Sequence, residues 1–425
     1  MKRYISILIV ISSLLSLSGC GGIHTNFREI QQLLVIQTLG LDWEEGGVRV
    51  SMAAAAEASG SGPRRMSATG GTINTAIDRA YELSYEESIF FSHVNHILIG
   101  EAAAMEDMDG FLDYLCQSPE LRIDIPLYIV REGTAEQAVM EVGDGSRGIS
   151  EVMQAVAEIF ATPSDSRVFT VADTISSLER YGSALVCAIR CEPGSESSGP
   201  QASGDSGGQE ASGEQETKTP VGGEDSGTEE DSDGDEARDS ASSAQGDSPI
   251  MAGIAGYGVI REGQLCKYLE PELSVAVGLM TGTVPISFVA VKDMDGQACS
   301  LEVYEGSARL EPVWAGPGEL KGLELQVEVT ASVMATGPSH SSRSEEYINY
   351  LTGQLESAVS RQLSSLLQSS MQLKADFLGL AGRVERSSPE NYRLMDRDFT
   401  EVLPSLELQI SVSGRLSHTN DMKEA

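Results

Sequence analysis

The sequence predicts an α+β protein of two to three small mixed modules, with antiparallel and mixed sheets packed against helices and a long C-terminal amphipathic helix lying on a sheet. Three observations carry this. In the first half, short runs rich in Val, Ile and Leu alternate with helix-spaced segments. In the second half, Leu323, Leu325, Val327, Val329, Ala331 and Val333 alternate with polar residues, the pattern of a half-buried antiparallel strand. Close behind, Ile348, Leu351, Leu355, Val359, Leu363 and Leu366 recur on one helical face through about Leu373.

Taken in order, Lys2 and Arg3 precede an apolar run from Ile5 to Leu17, 13 residues long. Spanning a bilayer takes roughly 20 residues, so the run suits a cleaved secretory leader, and residues 1–19 are expected as a signal peptide. Leu17-Ser18-Gly19-Cys20 closes the run and resembles the bacterial lipobox. In that pattern the cysteine takes a diacylglyceryl group and becomes the new N-terminus. Two acyl chains hold a protein stably where one does not. Attachment to the lipid bilayer is therefore expected through Cys20.

Residues 20–191 are expected to form the N-terminal mixed α/β domain or domains. Leu33–Asp42 reads as a strand, Gly46-Gly47 as a turn and Val48–Ala54 as a second strand. Ile73, Ile77, Ala80 and Tyr81 have helical spacing, Ile89–Ile99 reads as a strand, and Met105, Met108, Leu112 and Leu115 mark another helix. Leu121–Val130 follows as a strand, Thr134 starts a helix through about Val142, and Ile149–Phe160 is helical. The order is ββαβαβα, and Ala184–Cys191 reads as a further strand.

Residues 192–248 hold sixteen acidic residues against Lys218 and Arg238, in a background of Gly, Ser and Ala. Such a segment lacks the apolar content to offset its ordering entropy and is expected as a disordered linker. Residues 249–340 form the β-rich middle module. There Ile254–Ile260 and Gln264–Leu269 flank Arg261-Glu262-Gly263 as one hairpin, and Ser287–Val291 and Ala298–Tyr304 flank residues 293–297 as another. Residues 341–425 form a helix-plus-strand module packing with it. Ser342-Arg343-Ser344-Glu345 has capping-box spacing before the long helix, and Leu406, Leu408, Ile410 and Val412 give the final strand.

The net charge of −35 argues against nucleic acid as a partner, since such binding depends on neutralising phosphates. It equally argues against lying flat on an anionic leaflet. With Cys20 acylated, Cys116, Cys187, Cys191, Cys266 and Cys299 remain, an odd number. Cys187 and Cys191 sit about 13 Å apart along a strand, beyond disulfide reach, so mostly buried free thiols are expected.

Four strings imitate chemistry. Residues 143–148 match G-x-G-x-x-G, but a helix precedes them, so a helix-to-helix loop is the better reading. Gly204-Asp205-Ser206-Gly207-Gly208 copies a serine-nucleophile motif inside the linker, where nothing rigid would hold a base near it. His93 and His96 would point to opposite faces of a strand, without neighbouring acids or thiols to complete a metal set. Residues 231–236 hint at a calcium loop, but the loop they would begin lacks glycine at its sixth position and glutamate at its twelfth. Neither a catalytic site nor a cofactor nor a metal is expected.

Four stretches together resemble the Ger(x)C family, the lipoprotein C subunit of bacterial spore germinant receptors. They are Cys20 with Glu29-Ile30 and Gln37-Thr38-Leu39-Gly40-Leu41-Asp42; Phe91 to Gly100 followed by Glu101; Ser118-Pro119-Glu120-Leu121-Arg122 with Tyr128-Ile129-Val130; and the long helix with Asp376-Phe377-Leu378-Gly379 and the strand ending in Gly414. The family commonly has Trp-Asp soon after the cysteine, whereas Gly21 to Phe27 intervenes here. The resemblance implies structural roles for Gly40, Asp42, Gly100, Pro119, Glu120, Arg122, Asp376 and Gly379. It also implies a non-catalytic scaffold on the outer face of the cytoplasmic, inner spore membrane. Its partners would be two integral membrane subunits, one A-type and one transporter-like B-type. The rival reading, a solute-binding lipoprotein of a transporter, would require two doubly wound lobes.

Overall fold

The computed structural model describes residues 33–54, 63–84, 88–143, 147–161, 168–193, 250–282, 287–335 and 345–417. The leader, Cys20, Glu29-Ile30, the body of the acidic segment with its serine and calcium-like strings, and Ser342 to Ser344 of the capping box lie outside the described residues. Two sheets organise the rest, and both are mixed.

The first sheet has nine strands. β1 (Leu33–Glu44), β5 (His96–Gly100), β6 (Leu127–Val130) and β7 (Ser183–Pro193) are parallel neighbours at its centre. β2 (Gly47–Ala54) and β3 (Arg65–Gly70) extend it antiparallel on the β1 side, and β8 (Ile250–Arg261) and β9 (Gln264–Leu269) follow β7 on the other. β4 (Ser88–Phe90) pairs with the start of β1.

Strand alternation supplies both faces. Ile97, Ile99, Leu127 and Ile129 join one core with α1 (Ile73–Leu83), α2 (Glu101–Gln117) and Val171 at the start of α5 (Val171–Tyr181). Leu98, Tyr128, Val130, Leu185 and Cys187 join another with α3 (Ala135–Glu141) and α4 (Ile149–Ala161).

That second core is continuous with the C-terminal layers: α6 (Ser274–Thr281), the second sheet and α7 (Glu345–Leu373). The second sheet runs β10 (Ser287–Lys292), β11 (Ala298–Gly316), β12 (Glu319–Ala335) and β13 (Glu407–Ser417), with β13 parallel to β12. Leu323, Leu325, Val327, Val329 and Ala331 are buried with Leu351, Leu355, Val359 and Leu363 of α7. The opposite face carries Gln326, Glu328, Gln409, Ser411 and Ser413, all exposed. The expected helix on a sheet is thus present, and the alternation of β12 follows from burying one face only.

Several elements differ from the sequence expectation. Ile89–Ile99 is two strands, because β1 advances three residues (Val35 to Thr38) while its partners advance six (Phe90 to His96). The surplus forms a turn in which Val94 N–H donates to Phe91 O and Asn95 N–H to Gln37 O. His93 therefore lies in that turn, exposed, and only His96 is on a strand. Leu121–Val130 is strand only from Leu127. Leu121 and Ile125 anchor a turn through burial, and Pro126 has no N–H to offer a ladder. β3, α5, α6 and the short helices α8 (Leu380–Ser387), α9 (Pro389–Arg393) and α10 (Phe399–Val402) were not among the expected elements, although α5 and α8 are amphipathic. Residues 249–340 do not make one module, since β8 and β9 complete the first sheet while β10 to β12 belong to the second. Of the five cysteines, Cys187 and Cys299 are buried, Cys191 is intermediate, and Cys116 and Cys266 are exposed, so "mostly buried" does not describe them.

The two halves are tied by hydrogen bonds as well as by the core. α2 breaks at Asp107 (φ −155°, ψ 66°), where Asp107 accepts from Gly110 N–H at 3.0 Å and restarts the helix. The freed N–H of Met108 donates to Gly263 O in the β8–β9 turn at 2.9 Å. Arg261 donates to Leu373 O, and Lys267 to Ser369 Oγ at 3.1 Å, so cations of the hairpin meet the C-terminal end of α7 where the helix dipole favours them.

Candidate functional site

Gly40, Asp42 and Gly100 meet at one point. β1 and β5 are in register from Thr38↔His96 to Leu41↔Ile99, which sets Asp42 beside Gly100 at the carboxyl ends of the strands. Asp42 is 5% exposed and accepts from Ala135 N–H at 2.8 Å and Glu136 N–H at 2.7 Å. Thr134 accepts from Gln137 N–H at 3.0 Å, and Ala138 N–H reaches Thr134 O. Three of the four donors that begin a helix without an intrahelical partner, those of residues 135, 136 and 137, are thereby satisfied at α3. Both glycines are explained by close approach. A Cβ on Gly100 would overlap the Asp42 carboxylate, and one on Gly40 would sit 3.1 Å from Ala135 Cβ. Burial pushes the Asp42 carboxyl above its ordinary value, against the two N–H groups that lower it.

Asp376 and Gly379 repeat the device. Asp376, 1% exposed, accepts from Leu380 N–H at 2.7 Å and Ala381 N–H at 2.8 Å, capping α8. Gly379 has φ +65°, the left-handed region where glycine is at ease, and a Cβ there would lie 3.2 Å from the Tyr181 ring. Gly382 brings α8 closer still to Tyr181 at the end of α5, where a Cβ would lie 2.5 Å from the hydroxyl oxygen. Burial pushes Asp376 up to about 7, opposed by its N–H donors and by Arg383. Arg383 in turn donates to Met280 O and to Ala308 O, joining α8 to α6 and β11.

The third group separates. Pro119 and Glu120 line a cleft between α1 and the end of α2, whereas Arg122 is exposed and pairs with Asp124 at 3.5 Å. Sequence reasoning missed the ion-pair cluster at the carboxyl ends of β6 and β7. Arg131 forms a bidentate pair with Glu270 at 3.0 Å and lies 4.7 Å over the Tyr268 ring, and Arg190 reaches Glu132 at 2.7 Å. Its signal was the charged turn Arg131-Glu132-Gly133 directly after an apolar strand. Tyr181 was missed as well, although the Thr-x-x-Asp spacing of Thr170 and Asp173 announced the helix carrying it.

What these groups can do follows from how they are engaged. Asp42 and Asp376 each have both oxygens committed to helix N–H donors, which suits positioning backbone and leaves neither oxygen pair open to a substrate. His96 is buried between β1 and β6, and desolvation lowers it to about 4, so it is neutral at physiological pH. Cys187 is pushed up to about 12 by burial and stays a thiol. Among the described residues, no group of three or more His, Cys, Asp or Glu could hold a metal ion. The parallel strands are added in sequence order, β1, β5, β6, β7, without the reversal that opens a ligand crevice in doubly wound sheets.

Two family models match the chain. The spore germination protein N-terminal domain matches residues 26–185, and the spore germination B3/GerAC-like C-terminal domain matches residues 255–420. The first contains Gly40, Asp42, Gly100, Pro119, Glu120 and Arg122, the second Asp376 and Gly379. A solved structure, the crystal structure of the GerBC protein, is similar over 89% of this chain and 96% of that chain, at 14% identity and a TM-score of 0.49. No curated protein matches the chain.

Proposed function

Because the chain belongs to the Ger(x)C, GerAC-like family of spore germination proteins, we propose that it is the lipid-anchored, non-catalytic C subunit of a germinant receptor. In this reading diacylglycerol on Cys20 holds it to the outer face of the inner spore membrane. It there presents sheet and loop surfaces to an A-type and a transporter-like B-type integral membrane subunit and contributes to nutrient-triggered signalling. The observation that carries the reading is the family match across both sheets, on either side of the acidic segment. The commitment of Asp42 and Asp376 to backbone supports a scaffold over an enzyme. Among the described residues no helix is long and apolar enough to cross a membrane, and the reading assigns attachment to the lipobox.

The test is Cys20→Ala in the sporulating host, with spore membranes fractionated and nutrient germination timed. Release of the protein together with slow germination is expected. Release with normal germination would refute the receptor role while leaving the anchor standing.

A further inference from the structure

The cleft between α1 and α2 has a composition that the scaffold role does not require. Its floor includes Phe91, buried, and its walls are Tyr81 from α1 and Tyr114 from α2. Asp78 and Glu120 stand at its rim, both exposed, with Asn74 beside them. Its volume is about 230 Å³, below the roughly 300–1,000 Å³ of sites for drug-sized ligands. It suits a small group.

Charge decides which small group. The lining has two carboxylates and no Lys, Arg or His. The bases nearest in sequence are turned elsewhere: Arg79 donates to Thr69 O at 2.6 Å, and Arg122 pairs with Asp124. Among the described residues neither Asp78 nor Glu120 has an ion-pair partner. The Tyr81 hydroxyl donates to Ile89 O at 3.0 Å, which fixes the ring. Burial raises Tyr114, and the negative charge of Glu120 adds to this, so that carboxylate bears on the ring as well as on solvent. An anion would be repelled here. A metal ion would find few oxygens among three rings, and a neutral guest would leave both acids unanswered. A cation with an apolar stem meets every feature, because the three rings offer the stem apolar surface and the rim acids offer the head charge-assisted hydrogen bonds.

We propose that this cleft binds a primary alkylammonium ion, with its methylene stem against Tyr81, Phe91 and Tyr114 and its head between Asp78 and Glu120. The ammonium is either a free amine or the end of a lysine side chain. The site is read from this chain's own geometry and does not rest on the receptor assignment.

The experiment uses the full chain in detergent, labelled with 3-fluorotyrosine and followed by ¹⁹F NMR. Tyr81→Phe and Tyr114→Phe assign the two signals. n-Butylammonium, N-acetyl-lysine methylamide and the neutral control n-butanol are titrated in. Saturable shifts of both tyrosines with an ammonium probe, and none with n-butanol, are expected. Asp78→Asn with Glu120→Gln should raise the Kd at least tenfold while leaving the melting curve unchanged, since both groups are exposed. Binding of n-butylammonium alone would identify a free amine, and binding of the blocked lysine as well would identify a side chain. No saturable shift with either cation, equal binding of n-butanol, or an undiminished affinity in the double variant would overturn the proposal.

Discussion

If Asp42 and Gly100 act through one interaction, their substitutions must be strongly non-additive. Asp42→Ala removes the acceptor of two N–H groups at the start of α3, one of them on fully buried Ala135. Leaving buried donors unpaired costs roughly 1–3 kcal/mol each, so a loss of about 3 kcal/mol is expected, above the 0.5–2 typical of exposed caps. Gly100→Ala puts a methyl where the carboxylate lies and should cost about the same, since it expels Asp42 from both donors. Once Asp42 is alanine, the obstacle has gone. The next neighbour of that Cβ is Ala135 N at 3.3 Å, which a small shift accommodates. The double variant should therefore lose about 3–4 kcal/mol, a coupling of about 2–3 kcal/mol. Urea unfolding of the four proteins in a double-mutant cycle measures it. Additivity within about 0.5 kcal/mol, the behaviour of independent sites, would refute the shared contact.

Three further outcomes follow from the same structure. Asp376 has a folded pKa of about 7 against an ordinary 3.8, so the folded state holds the extra proton between them. Stability from this group is complete below about pH 4 and is lost as the pH rises through 7, by up to roughly 4 kcal/mol. Asp376→Asn should remove that slope from the pH dependence of the urea midpoint, and an unchanged slope would contradict it. Native-state maleimide labelling should modify Cys116 and Cys266 and spare Cys187 and Cys299 until denaturant is added; fast native labelling of Cys187 would be inconsistent with its burial. Thr170→Ala opens the capping box at α5 and should cost about 1 kcal/mol, whereas a neutral result would mean the box contributes nothing there.

Legibility in the sequence tracked periodicity. The stripe of α7 and the alternation of β12 each bury one face, so their patterns are direct images of structure. The β8–β9 turn was legible because Glu262 and Gly263 take positive φ between two apolar runs. What failed was register and partnership. Nothing local in Ile89–Ile99 says that β1 supplies three positions to its six, so the run looked like one strand. Buried Leu121 and Ile125 imitate a strand while anchoring a turn. The site residues show the same division. Gly40, Asp42, Gly100, Asp376 and Gly379 were legible as positions, but their function as matched helix caps depends on donors at residues 135, 136, 380 and 381 and on the ring of Tyr181. The charged turn after β6 marks Arg131, but nothing local names Glu270 as its partner until folding brings the strands together.

The claim on which the functional account depends is lipid attachment at Cys20. Intact-mass and N-terminal peptide analysis of the protein extracted from spore membranes tests it directly. The account requires a mature chain beginning at Cys20 with the mass of a diacylglyceryl group on its sulfur. A chain that still begins at Met1, or an unmodified cysteine in membrane-bound protein, would contradict it.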